Sequence, residues 1–172
     1  MIATDASPVK SQPDANTMSK LYLVRHAKAG ERRLWKGEDI DRPLSKKGWK
    51  QADLVSKRLA KLDPQLVCSS PYVRCIQTLE PLAQRLGTTV EIEQRLGEDE
   101  PTAPVLELLA QVPARTVMCS HGDIIPATIL ALKQRGAKLR TPPDWRKATV
   151  WVLDRNKRGV IVHATAWPPP VV

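Results

Sequence analysis

Two histidines in this 172-residue chain each follow a short apolar run with the composition of a buried strand. His26 comes after Leu21–Val24 and Arg25, and His121 comes after the run 115–119 and one serine. Because the carboxyl ends of parallel strands meet at one edge of an open α/β sheet, we expect both imidazoles to share a site there. An imidazole can attack as a nucleophile or move a proton, and an arginine beside it offers a planar fork for an oxyanion.

The composition predicts one compact domain. The chain is 42% hydrophobic and 4% aromatic, with no phenylalanine, so aliphatic side chains must fill the core. The formal net charge of +9 at pH 7 indicates anionic partners, which include phosphate compounds, nucleic acid and acidic proteins. The three cysteines have no metal-binding spacing and are interpreted as small buried residues in a reducing compartment. With no apolar run near the ~18 residues of a membrane span and no signal peptide, a soluble, cytoplasmic protein is predicted.

Strand and helix patterns alternate along the chain. The predicted strands cover 66–69, 89–92 and 115–119 besides the first run, and a terminal hairpin covers 148–153 and 160–164. The first predicted helix follows Ser45, which is its N-cap, and the second opens near Pro71 with a kink or break at Pro81. The third predicted helix covers 102–111, and the fourth covers 124–135 with Asp123 as its cap. This order predicts a three-layer α/β/α sandwich, with a mostly parallel central sheet and an antiparallel element from the hairpin.

Both ends of the chain have compositions unlike that of the predicted domain. Residues 1–19 have no apolar period and are predicted to be a disordered leader or an expression remnant. Residues 20–166 are assigned to the domain. Residues 167–172 are proline-rich and are predicted to form a tail that cannot extend a sheet.

Four short motifs carry a resemblance to the histidine phosphatase superfamily, which has the phosphoglycerate-mutase-like fold, and in particular to its short SixA-type branch. The motifs are Arg25-His26-Ala27, Arg42-Pro43-Leu44-Ser45 with Gly48, Ser69-Ser70-Pro71 with Arg74 and Thr78, and Ser120-His121-Gly122. Ala27 stands where the family usually has glycine. The stretch from Arg25 is also similar to the phosphatase domain that is fused to Nudix hydrolases in some bacteria.

The resemblance implies a covalent phosphohistidine intermediate on His26. Arg25 and Arg74 would bind phosphate oxygens, and their charges would disfavour the imidazolium form of the nucleophile. His121 would donate a hydrogen bond to the phosphoryl group. The predicted substrate-binding set also includes Ser120, Lys28 and Arg32.

The same resemblance places a general acid shortly after the third predicted strand. Glu98, in Leu96-Gly97-Glu98, is the best match, and Asp99 and Glu100 compete with it. Many SixA-type members lack this acid. A leaving group of low pKa needs little protonation, whereas an alkyl ester needs a proton, so the role of Glu98 depends on the substrate.

These motifs predict a metal-independent phosphatase with no cofactor. Its substrate would be a phosphomonoester, a nucleotide phosphate or a phosphohistidine. The predicted partner is accordingly either a phosphorylated small molecule, such as a nucleotide, or a phosphohistidine protein. The alternative is a non-catalytic phosphate- or nucleic-acid-binding module; the charge favours it, but no zinc finger or aromatic RNA-reading pattern supports nucleic acid. The basic residues between Lys133 and Arg158 are interpreted as a solvated face, or as a rim that attracts a polyphosphate together with Arg32, Arg33 and Lys36.

Overall fold

Strand β1 (Ser19–Arg25) runs through the interior of the sheet and is apolar on both of its faces. Leu21 and Leu23 pack into one hydrophobic cluster, while Tyr22 and Val24 pack into a second cluster on the opposite face. Side chains alternate between the two faces of a strand, so a continuous apolar run is the pattern of a strand that is covered on both sides. The computed structural model describes residues 18–172.

Seven strands form one mixed sheet in the order β3-β2-β4-β1-β6-β7-β5. The other strands are β2 (Leu66–Ser69), β3 (Glu91–Ile92), β4 (Thr116–Ser120), β5 (Lys138–Leu139), β6 (Val150–Arg155) and β7 (Ile161–Trp167). Strands β3, β2, β4 and β1 are parallel, β6 pairs antiparallel with β1 and with β7, and β5 pairs parallel with β7. The parallel pairing of β1 and β4 brings Arg25 opposite Ser120, so the residues that follow these strands leave the same sheet edge.

Within residues 18–172, four α-helices cover the two faces of the sheet. They are α1 (Lys46–Ala60), α2 (Val73–Leu86), α3 (Thr102–Gln111) and α4 (Ile124–Gln134). The buried faces of α1 and α2 share the cluster of Tyr22 and Val24, and those of α3 and α4 share the cluster of Leu21 and Leu23. The α/β sandwich with a mostly parallel centre is therefore confirmed.

The helix ends follow their sequence signals in most places. Ser45 caps α1, because its Oγ accepts a hydrogen bond from the Gly48 amide at 3.1 Å, and Gly87 ends α2 in the left-handed conformation. Pro81 neither breaks α2 nor ends it. Buried residues on both sides of this proline, Leu79 and Leu82 among them, hold the two halves of α2 in one hydrophobic cluster.

The structure corrects two local predictions and adds one strand that the sequence analysis does not predict. The Asp123 side chain does not cap α4; its Oδ2 accepts a hydrogen bond from the Asp99 amide at 2.9 Å. The third strand is shorter than predicted, and β5 was not predicted at all, since a two-residue strand has almost no periodicity to detect. All three cysteines are buried and unbridged, as their interpretation required.

The structure describes the last two residues of the predicted leader and the whole of the predicted tail. Residues 1–17 of the predicted leader lie outside the described residues, and β1 begins at Ser19, the last residue assigned to that leader. Trp167, the first residue of the predicted tail, is the last residue of β7. None of the helices within residues 18–172 is long and apolar enough to cross a membrane.

Candidate active site

His26 is fixed at the end of β1 by both its backbone and its ring. Its amide donates a hydrogen bond to the carbonyl of Ser120 at 3.1 Å, which ties the two sheet-edge segments together. Its ring Nδ1 lies 2.8 Å from the carbonyl oxygen of Ala27. Because a carbonyl oxygen can only accept, Nδ1 carries the proton, and the neutral ring then has its lone pair on Nε2.

The surroundings of His26 keep its ring neutral. The pKa of this imidazole is lowered to about 3, chiefly by burial; the hydrogen bond to Ala27 opposes the shift, and the charges of His121, Arg74 and Arg25 add to it. Only 6% of the residue is exposed. The ring is therefore available as a neutral nucleophile at every pH above that range.

Arg25 is held against the loop that follows β4. Its Nη1 donates to the carbonyl oxygen of Trp145, and burial lowers its pKa. A Cβ on Gly122 would lie 2.7 Å from Arg25 Nη2 and 2.8 Å from Cζ, which is closer than atoms can approach. A side chain at position 122 would therefore displace this guanidinium, which gives the glycine of the Ser120-His121-Gly122 motif a steric reason.

Arg74 is almost completely buried on the first turn of α2. Its Nη2 donates to Asp39 Oδ2 at 3.1 Å and to Glu98 Oε2 at 3.2 Å, and its Nη1 donates to the Asp39 carbonyl at 2.9 Å. Thr78 connects this turn to the nucleophile segment, because its Oγ1 donates to the Arg74 carbonyl and accepts from the Ala27 amide. The motif residues Arg74 and Thr78 thus orient each other and the backbone next to His26.

His121 is buried beside His26 and is oriented by a serine. The two ring centroids lie 5.6 Å apart, and His121 Nε2 lies 2.7 Å from Ser70 Oγ. That oxygen also accepts a hydrogen bond from the Tyr72 amide at 3.2 Å, and the hydroxyl can donate its single proton to Nε2. In the tautomer whose Nε2 accepts this proton, His121 carries its own proton on Nδ1, the ring nitrogen that does not contact Ser70.

Three buried side-chain nitrogens within residues 18–172 have no hydrogen-bond partner. They are Arg25 Nε, Arg74 Nε and His121 Nδ1, and all belong to residues that the sequence predicts at the site. A buried donor without a partner costs about 1–3 kcal/mol, so native proteins rarely keep several of them. Three such donors around a neutral imidazole are suited to an anion with several acceptor oxygens, which is what a phosphoryl group presents.

A cavity of about 420 Å³ lies at the sheet edge, and His121 is not among its lining residues. Its lining includes His26, Arg25, Arg74 and Glu98, together with the predicted substrate ligands Lys28 and Arg32. Glu98 accepts from Arg74, and its Oε1 lies 3.7 Å from Arg32 Nη2. The cavity thus combines cationic groups with the carboxylates of Glu31, Glu98 and Asp123.

Ser120 lies outside the lining of this cavity. It is fully buried, its hydroxyl donates to the carbonyl of Leu96 at 2.7 Å, and it does not line the cavity. The geometry therefore favours a supporting role for Ser120, in which it positions the segment leading to Glu98, over the substrate contact that the sequence predicts.

Three further residues have roles in the site that the sequence analysis does not assign, although Arg42 belongs to one of its motifs. Asp39 joins two arginines: it accepts from Arg74 and, at 3.0 Å, from Arg42 Nε. Arg42 is buried, and its Nη1 donates to the Gly30 carbonyl at 2.6 Å. Lys147 comes from the basic run interpreted as a solvated face, yet it lines the cavity, where burial and then the charges of Arg25 and Arg42 lower its pKa. Nothing in the local sequence separates Asp39 and Lys147 from neighbouring charged residues, whereas the motif that contains Arg42 marks that residue.

The fold and the site define an α/β protein of the phosphoglycerate-mutase-like class. Residues 21–100 match the branch 1 sequence model of the histidine phosphatase superfamily. It is 35% identical over 170 residues to an 8-oxo-(d)GTP phosphatase of Mycolicibacterium smegmatis. That match covers 94% of this chain and 51% of the relative, so the chain spans about half of that protein's length.

Solved structures of the superfamily share the fold. The protein histidine phosphatase SixA complexed with tungstate superposes with a TM-score of 0.69 at 21% identity, covering 87% of this chain and 94% of that one. A mycobacterial glucosyl-3-phosphoglycerate phosphatase superposes with a TM-score of 0.59 at 21% identity, covering 87% and 97%. These likenesses confirm the predicted fold class.

The bond between Ser70 and His121 leads to a prediction about anion binding. Replacing Ser70 by alanine removes the hydroxyl that holds the His121 proton on Nδ1, so an anion loses a correctly oriented donor. Because one such hydrogen bond contributes about 0.5–1.5 kcal/mol, we expect Ser70→Ala to weaken inorganic phosphate binding about 2- to 13-fold in calorimetry.

Ser69→Ala is the matched control. Ser69 is equally buried, and its hydroxyl donates to the Ser70 carbonyl at 2.8 Å rather than to a site residue. Equal weakening in both variants would show that buried serines at this turn affect only folding, and would contradict the orienting role of Ser70.

Proposed function

We propose that this chain is a phosphatase that acts through a phosphohistidine intermediate on His26. The observation that carries the proposal is the set of three unpartnered buried donors around a ring whose lone pair lies on Nε2. Phosphoryl transfer needs little more than a positioned nucleophile and fixed positive groups for the equatorial oxygens. The match to the superfamily model supports the same reaction class.

The reaction would proceed in two balanced steps. In the first, the lone pair of His26 Nε2 forms a bond to phosphorus while the bond from phosphorus to the leaving oxygen breaks, and Glu98 protonates that oxygen. In the second, water attacks phosphorus, the N–P bond breaks, and the Glu98 carboxylate takes the proton from water. Arg25, Arg74 and His121 Nδ1–H donate to the phosphoryl oxygens throughout.

The proposed substrate is a phosphorylated small molecule, a nucleotide among them, or a phosphohistidine protein. The cavity supplies more positive charge than one phosphoryl group requires, because Lys28, Arg42 and Lys147 line it besides the two predicted catalytic arginines. This excess favours a substrate with additional anionic groups. The name of the mycobacterial relative, 8-oxo-(d)GTP phosphatase, adds support for nucleotides.

The proposed reaction is independent of metal ions. Within residues 18–172 no group of three or more histidine, cysteine, aspartate or glutamate side chains is arranged to hold a metal ion. Arginines supply the positive charge that metal ions provide in other phosphoryl-transfer sites.

The test measures the release of inorganic phosphate in the presence of a chelator. The compounds tested are p-nitrophenyl phosphate, nucleoside di- and triphosphates, sugar phosphates and a histidine-phosphorylated protein. We expect the native chain to hydrolyse at least one of these and His26→Ala to hydrolyse none. The matched control is His163→Ala, because His163 lies in β7 and bonds to Arg140, outside the cavity.

Two results would contradict this proposal. If the native chain released no phosphate from any compound while still binding inorganic phosphate, the alternative of a non-catalytic binding module would replace it. Turnover that needed an added metal ion, or that survived in His26→Ala, would exclude the covalent route.

The second prediction concerns the general acid. Because an alkyl leaving group needs a proton and p-nitrophenolate does not, Glu98→Gln should slow hydrolysis of an alkyl phosphate roughly 10²- to 10⁴-fold and hydrolysis of p-nitrophenyl phosphate far less. Steady-state rates on both substrates measure the ratio. Glu100→Gln is the control, since Glu100 does not line the cavity. A larger effect in Glu100→Gln, or equal effects of Glu98→Gln on both substrates, would remove Glu98 from this role.

A further inference from the structure

A second cavity of about 280 Å³ adjoins the catalytic one. Its lining is Arg32, Trp35, Gly37, Asp39, Glu98 and Asp99. Arg32 and Glu98 line both cavities, and Arg74 bonds to two residues of the second cavity while lining the first. A molecule whose phosphoryl group lies at His26 can therefore extend past Glu98 into this second space.

Trp35 forms a fixed aromatic surface in this cavity. The indole Nε1 donates to the Glu38 carbonyl at 2.8 Å, and 38% of the residue is exposed. Gly37 packs against the ring, because a Cβ there would come within 3.1–3.2 Å of three indole atoms. A ring held by its own hydrogen bond and by backbone loses little freedom when a ligand stacks on it.

The charges in the second cavity differ from those in the first. Asp39, Glu98 and Asp99 contribute three carboxylates against the single guanidinium of Arg32. The hydrogen bond from Arg42 and the charge of Arg74 hold the pKa of Asp39 below its ordinary value, although burial acts in the opposite direction. A second phosphate would be repelled here, whereas a flat group with N–H donors on its edge would find both acceptors and a stacking surface.

We propose that this cavity is a nucleobase subsite, in which the base of a nucleoside phosphate stacks on Trp35 while its phosphoryl group lies at His26. The inference rests on the proposed phosphatase function and narrows its substrate class to nucleotides. Base–aromatic stacking is strong enough that loss of the indole should weaken nucleotide binding at least about fivefold. A sugar phosphate without a base gains nothing from this surface.

The experiment compares guanosine 5′-monophosphate with ribose 5-phosphate by titration calorimetry on the full chain. The variants are Trp35→Ala, Trp35→Phe and the matched control Trp49→Ala. Trp49 lies on α1 with 37% of its surface exposed, close to the value for Trp35, and it lines neither cavity. We expect Trp35→Ala to raise the ratio of the guanosine to the ribose dissociation constant at least about fivefold, Trp35→Phe to restore most of the selectivity, and Trp49→Ala to leave the ratio unchanged.

Three results would overturn the subsite: native protein that binds both compounds equally, Trp35→Ala that weakens both by the same factor, or Trp49→Ala that has the same effect as Trp35→Ala. The binding ratio also separates this inference from the proposed function. A chain that shows Trp35-dependent selectivity but no turnover would retain the subsite and lose the phosphatase. A chain that hydrolyses phosphate esters without any dependence on Trp35 would retain the phosphatase and lose the subsite.

Discussion

The site depends on the withdrawal of one imidazole from water into a group of positive charges. Burial is the largest factor that lowers the pKa of His26, and Arg74 and Arg25 act in the same direction. The same cations that would bind an anion thus keep the His26 ring unprotonated. The cost is a set of buried donors without partners, which a phosphoryl group would satisfy. The buried donors that suit this sheet edge to binding an anion therefore also lower the stability of the fold there.

The surrounding fold makes this arrangement rigid. Parallel pairing of β1 and β4 fixes the two histidine segments side by side, and the His26 amide bonds directly to the Ser120 carbonyl. Gly48 allows α1 to approach the nucleophile loop, since a Cβ there would lie 2.0 Å from the Lys28 carbonyl oxygen. Gly122 leaves space for the guanidinium of Arg25, since a Cβ at position 122 would lie 2.7 Å from Arg25 Nη2. Two glycines of the motifs are therefore explained by close approach, independently of any chemistry.

The sequence predicted the parts of the molecule that local patterns control. The apolar run of β1, the Ser45 cap and the full extent of α3 all follow from residue type and period. The continuity of α2 through Pro81 depends on tertiary packing, which no local pattern contains. The Asp123 cap failed for the same reason, because the Asp99 amide competes for its carboxylate. The cavity roles of Asp39, Arg42 and Lys147 depend on how two separate loops, the one between β1 and α1 and the one between β5 and β6, fold over the sheet edge, so spacing alone could not identify these roles.

The most direct measurement of the central claim is the protonation state of His26 in solution. The chain has three histidines, so imidazole NMR signals can be assigned by the loss of one signal in His26→Gln. Because the pKa of His26 is lowered to about 3, its ring should remain neutral, with the proton on Nδ1, throughout a titration from pH 8 to pH 5. A His26 signal that titrates near its ordinary value of about 6.5 would contradict the account, since the fold would then not hold the nucleophile in its reactive form.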